Sequence, residues 1–161
     1  MRGRGLLTGY WNKPRRTLTP SGLRWFRTGD IFEADTHGCL WIVGRIKDMI
    51  RRSSENISAR EAEAVIRELP QIEDCAAVPV PDVKRGEEVK IFARLKNGLG
   101  PRDLPFEVIL AHARSRLAAF KVPLYFCYTT NFLRTVSNKI EKRNLVADVS
   151  DLLADAWDAE V

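Results

Sequence analysis

From residue 48 onward the apolar and polar positions switch between a short and a long period. Residues 49–57 suit a hairpin, and Ser58 reads as an N-cap with Glu61 three residues on to complete a capping box. Ala62, Val65, Ile66 and Leu69 then recur at helical spacing, which predicts a helix with one buried face, stopping before Pro70. Residues 72–80 and 87–95 read as two strands joined by the turn from Asp82 to Gly86. A second helix is predicted from Asp103 or Pro105 to near Phe120, and Leu124 to Tyr128 reads as a third strand. Two helices on one small mixed sheet make an α+β arrangement.

The two ends of the chain differ from this middle. Residues 3–46 read as short strands and turns, with turn chemistry at Pro20-Ser21-Gly22 and His37-Gly38. Trp25-Phe26, Ile31-Phe32 and the run Cys39 to Val43 between and after those turns are rich in β-forming residues. Three of the four tryptophans lie here, as they would at the edge of something larger. At the other end, Val149, Leu152, Leu153, Ala156 and Trp157 fall on one face of a helix, and five acidic residues follow Arg143 with no basic one. Three parts are therefore expected: a β-rich 1–46, a domain over 47–146, and an acidic amphipathic helical tail over 147–161.

Composition narrows the function classes. With 45% hydrophobic and 29% charged residues the chain is of ordinary globular make-up. No apolar run approaches the roughly 20 residues that cross a bilayer, and no export signal opens the chain. Cys39, Cys75 and Cys127 are far apart and lack metal-ligand spacing, and only His37 and His112 could join them. Buried reduced thiols, no metal site and a cytoplasmic location are expected. Charge is uneven: residues 1–60 carry twelve Lys/Arg against five Asp/Glu, the rest fourteen against sixteen. A basic front attracts polyanions such as nucleic acid, ATP or CoA. No RNA-binding motif, helix-turn-helix or zinc finger supports the first of these.

Two spaced motifs carry the most information. Phe26-Arg27-Thr28-Gly29-Asp30 is followed by Gly44-Arg45-Ile46-Lys47-Asp48, with a β-like stretch between them. Gly9-Tyr10-Trp11-Asn12-Lys13-Pro14 precedes this pair, and Glu55-Asn56-Ile57-Ser58 and Asn138-Lys139-Ile140-Glu141-Lys142 follow it. Together, over residues 3–146, they resemble the adenylate-forming enzymes: acyl-CoA synthetases, peptide-synthetase adenylation domains and beetle luciferases. The wording from Arg51 to Ser58 looks most like the crotonobetaine/carnitine-CoA ligase branch. Such enzymes join a carboxylate to the α-phosphate of ATP, release pyrophosphate, and pass the acyl group to a thiol.

The resemblance implies roles residue by residue. Asp30 would hold the ribose hydroxyls of ATP, as a carboxylate accepting two hydrogen bonds. Arg45 would be a second ribose or phosphate contact, its planar fork matching paired oxygens. Lys47 would be the hinge about which the small domain swings. Arg52, Ser53, Ser54 and Glu55 lie where the family lines the pantetheine channel of CoA, with Ser54 standing where glycine is usual. Lys139 would be the catalytic lysine, with Asn138 in place of the family's glycine, no proline before Arg134, and Lys142 as competitor.

The expected fold is thus the family's mobile C-terminal domain, preceded by a β-rich piece of its larger N-terminal domain. The expected function is that of the C-terminal portion of an ATP-dependent acyl-CoA ligase, without activity alone. ATP and CoA are implied as substrates beside a carboxylic acid, none held tightly, with Mg2+ in the complete enzyme. A complementing N-terminal half, or self-association through the β-rich front, is implied as partner. Two alternatives stay open: a stand-alone or split-enzyme module without catalysis, and an adenylation fragment of a peptide synthetase, which the lack of a carrier-serine motif after Lys142 disfavours.

Overall fold

A computed structural model describes Asn12, residues 28–147 and residues 152–160. The Gly9-to-Pro14 motif apart from Asn12, the turn at Pro20, the Trp25-Phe26 strand and Val149 lie outside the described residues.

The described chain begins with an antiparallel pair, β1 (Asp30–Ala34) and β2 (Leu40–Arg45). Asp35 closes the turn between them by accepting hydrogen bonds from the backbone N–H groups of His37 and Cys39 at 2.9 and 2.8 Å. Little packs on this pair: Phe32, Leu40, Trp41, Ile42, Val43 and Ile46 are all exposed. A single 3-10 turn, Ile46–Asp48, leads from it into the second and larger sheet.

That sheet has six strands. β3 (Met49–Arg52) and β4 (Glu55–Ser58) form the hairpin, in register Ile50 opposite Ile57. α1 (Ala59–Ile66) follows at once. β5 (Ile72–Asp82) and β6 (Gly86–Leu95) run antiparallel along their whole length, and β7 (Tyr125–Tyr128) joins β6 in parallel. The parallel step needs a crossover, supplied by α2 (Phe106–Arg116) and a 3-10 turn at Ala119–Lys121. α1 and α2 bury their stripes on one face, where Ile50, Ile57, Ile66, Ile91, Ile109 and Phe126 are sealed from solvent. The mixed α+β sheet with two main helices is the architecture the periodicity predicts.

Three expectations are corrected. The capping box does not form: the Ser58 hydroxyl donates to the Val43 carbonyl at 3.0 Å, and Glu61 pairs with Lys121 at 2.7 Å. The second helix stops at Arg116, because Leu117 turns into extended torsions to bury its side chain. The tail is not helical over its described part. After a four-residue α3 (Asn144–Ala147), residues 152–155 turn and β8 (Trp157–Asp158) adds to the open edge of β7. Leu152, Leu153 and Ala156 still bury together, against Val78, Val80, Leu124 and Tyr125 on the sheet face away from α1 and α2. Trp157 packs beside Phe106 and Phe126, with ring centroids 5.8 and 5.9 Å apart. A strand satisfies the backbone groups along the β7 edge, which a helix lying over it would leave unpaired.

Candidate functional site

Asp30 opens β1 and Arg45 closes β2, so the antiparallel register sets them side by side across the pair. Arg45 Nε donates to Asp30 Oδ1 at 2.6 Å, and the Thr28 hydroxyl accepts from the Asp30 backbone N–H at 3.1 Å. The Arg45 hydrogen bond is the main reason the Asp30 carboxyl titrates below the ordinary carboxylate value. A further, smaller pull in the same direction comes from Lys139, more than a hundred residues away in sequence. The structure therefore brings Asp30 and Arg45 together from the two ends of the β1–β2 pair.

Lys139 sits on a short loop tightened by its own backbone. Thr135 N–H donates to the Lys139 carbonyl at 2.8 Å, Asn138 N–H to the Thr135 carbonyl at 2.9 Å, and Arg134 bridges to Ile140. Asn138 takes a left-handed φ of 61°, which asparagine tolerates better than most side chains. Lys139 is exposed and forms no ion pair among the described residues. Lys142, its competitor, is held by the buried carboxylate of Glu63 at 2.7 Å.

Lys47 lies mid-turn between the two sheets, exposed. A one-turn 3-10 segment bordered by extended residues on both sides has few backbone bonds to break, the local form expected of a hinge. Gly44, just before it, is packed tightly: an added Cβ would lie 3.0 Å from the Ser58 hydroxyl.

The hairpin residues divide. Ser53, rather than Ser54, carries the left-handed torsion, φ 56°. With Arg52 opposite Glu55, that is a two-residue loop with positive φ at its first position only, the pattern of a type II′ turn. Ser53 N–H donates to the Arg85 carbonyl at 2.7 Å. Ser54 and Glu55 are exposed. Arg52 points inward: its Nε donates to the fully buried Glu88 at 2.6 Å and its Nη1 to the carbonyls of Phe120 and Val122. Among the residues singled out from sequence, only Arg52 also lines a cleft of about 470 Å3 walled by Leu110, Leu117, Pro123 and Glu160.

Sequence reasoning missed Glu63, Asp74 and Glu88, which anchor the arginines and lysines around these loops. One signal for Glu63 was available, since it falls within the buried stripe Ala59, Ala62, Ile66 of α1. Among the described residues no three His, Cys, Asp or Glu side chains converge as metal ligands. No helix among them is long and apolar enough to cross a membrane.

Comparison with known proteins places the fold among adenylate-forming enzymes. Residues 61–139 match the AMP-binding enzyme C-terminal domain family. The mitochondrial medium-chain acyl-CoA ligase ACSF2 of Bos taurus is 40% identical over 146 residues, covering 90% of this chain and 23% of that enzyme. Oxalate–CoA ligase of Arabidopsis thaliana is 39% identical, covering 89% of this chain and 27% of the relative. Among solved structures, the ATP-bound RpMatB–BxBclM chimera B1 superposes with a TM-score of 0.78 at 28% identity, over 89% of this chain and 29% of the other. The anthranilate CoA ligase AuaEII with anthranoyl-AMP gives 0.73 at 29%, over 83% and 25%. The chain thus spans about a quarter of the length of the relatives it matches. Its fold matches the AMP-binding enzyme C-terminal domain, and its homologues are acyl-CoA and adenylate-forming ligases.

Proposed function

We propose that this chain supplies the C-terminal part of an ATP-dependent acyl-CoA ligase site, forming an acyl-adenylate and then a CoA thioester. The observation that carries this is the Asp30–Arg45 pair set side by side across β1 and β2. A carboxylate braced by a guanidinium at 2.6 Å suits ribose hydroxyls, and Lys139 supplies an exposed ammonium outside every ion pair among the described residues. Such an ammonium neutralises charge growing on the α-phosphate as the carboxylate attacks. Lys47 is the pivot between residues 1–46, read as an edge of the large domain, and residues 47–146. The loop Ser53-Ser54-Glu55 serves the pantetheine arm. Arg52 underpins that loop more than it reaches CoA, since Glu88 and two carbonyls occupy its guanidinium.

The wording from Arg51 to Ser58 favours a short- or medium-chain branch of the crotonobetaine/carnitine type. Mg2+ would arrive with ATP. The bovine relative is mitochondrial, and the cytoplasmic location read from the thiols stands as a proposal beside it.

We infer further that the 161 residues alone are inactive, because they hold neither a Ser/Thr/Gly-rich phosphate loop nor an acyl pocket. Pyrophosphate release from ATP and a panel of carboxylic acids is expected at background for the isolated chain. Joining it behind the N-terminal three-quarters of a relative is expected to restore release. Turnover by the chain alone, abolished by Lys139→Ala, would overturn the partial-site reading. No release from the joined protein would favour a non-catalytic module.

A further inference from the structure

The backbone bonds that tighten the segment from Leu133 to Lys142 stay local and reach no strand of the six-stranded sheet. Glu141 N–H donates to the Leu133 carbonyl at 2.9 Å, and the bridge from Arg134 to Ile140 is isolated from every sheet. What ties it to the domain is a pair of cations on either side of Lys139. Arg134, five residues before, places Nη2 on Asp74 Oδ2 and Nη1 on the Asn138 carbonyl at 3.0 Å. Lys142, three residues after, places Nζ on Glu63 Oε1 at 2.7 Å.

Both carboxylates are rooted in the core. Glu63, 6% exposed, accepts the Ala77 N–H at 2.8 Å, and Asp74 accepts the Cys75 N–H at 2.9 Å. Arg67 spans the two, with Nε 3.0 Å from Asp74 Oδ1 and Nη2 3.6 Å from Glu63 Oε2. Two acids thus meet three cations, and the acids are filled by Arg134, Lys142 and Arg67. Lys139 is left out of every one of these pairs. A lysine stem is flexible, so the loop beneath must be fixed if the ammonium is to be.

We propose that Glu63 and Asp74 are positioning residues for Lys139: by clamping Arg134 and Lys142 to α1 and β5 they fix both stems of its loop and leave its ammonium out of the ion pairs that hold them. This rests on the reading of Lys139 given above. The effect is local. An ordered loop keeps the reacting charge within the narrow range of positions that catalysis tolerates.

The test starts with the 161-residue chain. Glu63→Gln keeps an acceptor for the Ala77 N–H and loses the charge that holds Lys142. Asp74→Asn does the same for Arg134, Asp74→Glu restores the charge, and Lys142→Gln breaks the first pair from its exposed side if Glu63→Gln does not fold. Trypsin cleavage after Lys139 is expected to speed up by about tenfold in the three charge-removing variants. The 15N heteronuclear NOE of residues 134–142 is expected to fall with it, while the Tm stays within a few degrees and Asp74→Glu behaves as the parent. A loop that stays ordered, or loosens only as the whole domain unfolds, overturns the proposal. In the protein joined to a relative's N-terminal part, kcat for adenylate formation is expected to drop about tenfold with KM for ATP unchanged. If Lys139→Ala abolishes adenylation and these variants leave kcat alone, positioning fails and the Lys139 reading survives. If Lys139→Ala has no effect, it is the Lys139 reading that fails.

Discussion

Glu88 is fully buried on β6, and two guanidiniums keep it there: Arg52 at 2.6 Å and Arg85 at 2.9 Å. A buried carboxylate stripped of a partner is costly, typically about 3–5 kcal/mol. Arg52→Ala leaves Arg85 in place and is therefore expected to lower the unfolding free energy by less than that, about 1.5–3 kcal/mol in urea denaturation, with an unchanged m-value. A variant as stable as the parent would return Arg52 to a purely ligand-binding role. The same scale shows what a single sequence can and cannot carry. Asp30 and Arg45 were legible because strand register converts a fixed spacing into adjacency. Asn138 was legible because few residues besides glycine accept its left-handed torsion. The inward turn of Arg52 was not, since it depends on carbonyls of Phe120 and Val122 that are about seventy residues away.

Among the elements, the β3–β4 hairpin departs most usefully from expectation. The family resemblance marks Ser54 as the site where glycine is usual, yet the left-handed torsion falls on Ser53. A side chain there costs energy that glycine avoids, less the entropy glycine loses on folding. Ser53→Gly is expected to gain about 0.5–1 kcal/mol by chemical denaturation, and Ser54→Gly to gain nothing. A gain confined to Ser54→Gly would mean that the turn is of another type. α1 and the β5–β6 pair were legible because their apolar periods are long and uninterrupted. The tail misled because Leu152, Leu153, Ala156 and Trp157 fit a helical stripe equally well, and only the open edge of β7 selects a strand. Ser58 misled for a similar reason: its hydroxyl satisfies a carbonyl of β2 instead of its own helix.

For the molecule as a whole, the described residues join the two sheets through the 3-10 turn, the Ser58 hydrogen bond to Val43 and the packing of Gly44 on Ser58. The exposed apolar residues of β1 and β2 leave that pair without a core of its own. An arrangement so thinly joined suits a site that is assembled from two bodies and taken apart again. On the proposed reading, Lys139 serves adenylation at the Asp30–Arg45 pair, whose guanidinium and carboxylate lie 2.6 Å apart. The loop at Ser53 lies at the other end of the small domain's sequence, so a swing about Lys47 would exchange one for the other. Separating the two half-reactions tests this directly, in the chain joined to a relative's N-terminal part. Lys139→Ala is expected to slow acyl-adenylate formation by on the order of 100-fold or more, yet to spare thioester formation from a preformed adenylate. Lys47→Pro, by stiffening the pivot, is expected to do the reverse. Equal slowing of one half-reaction by both substitutions would contradict the account.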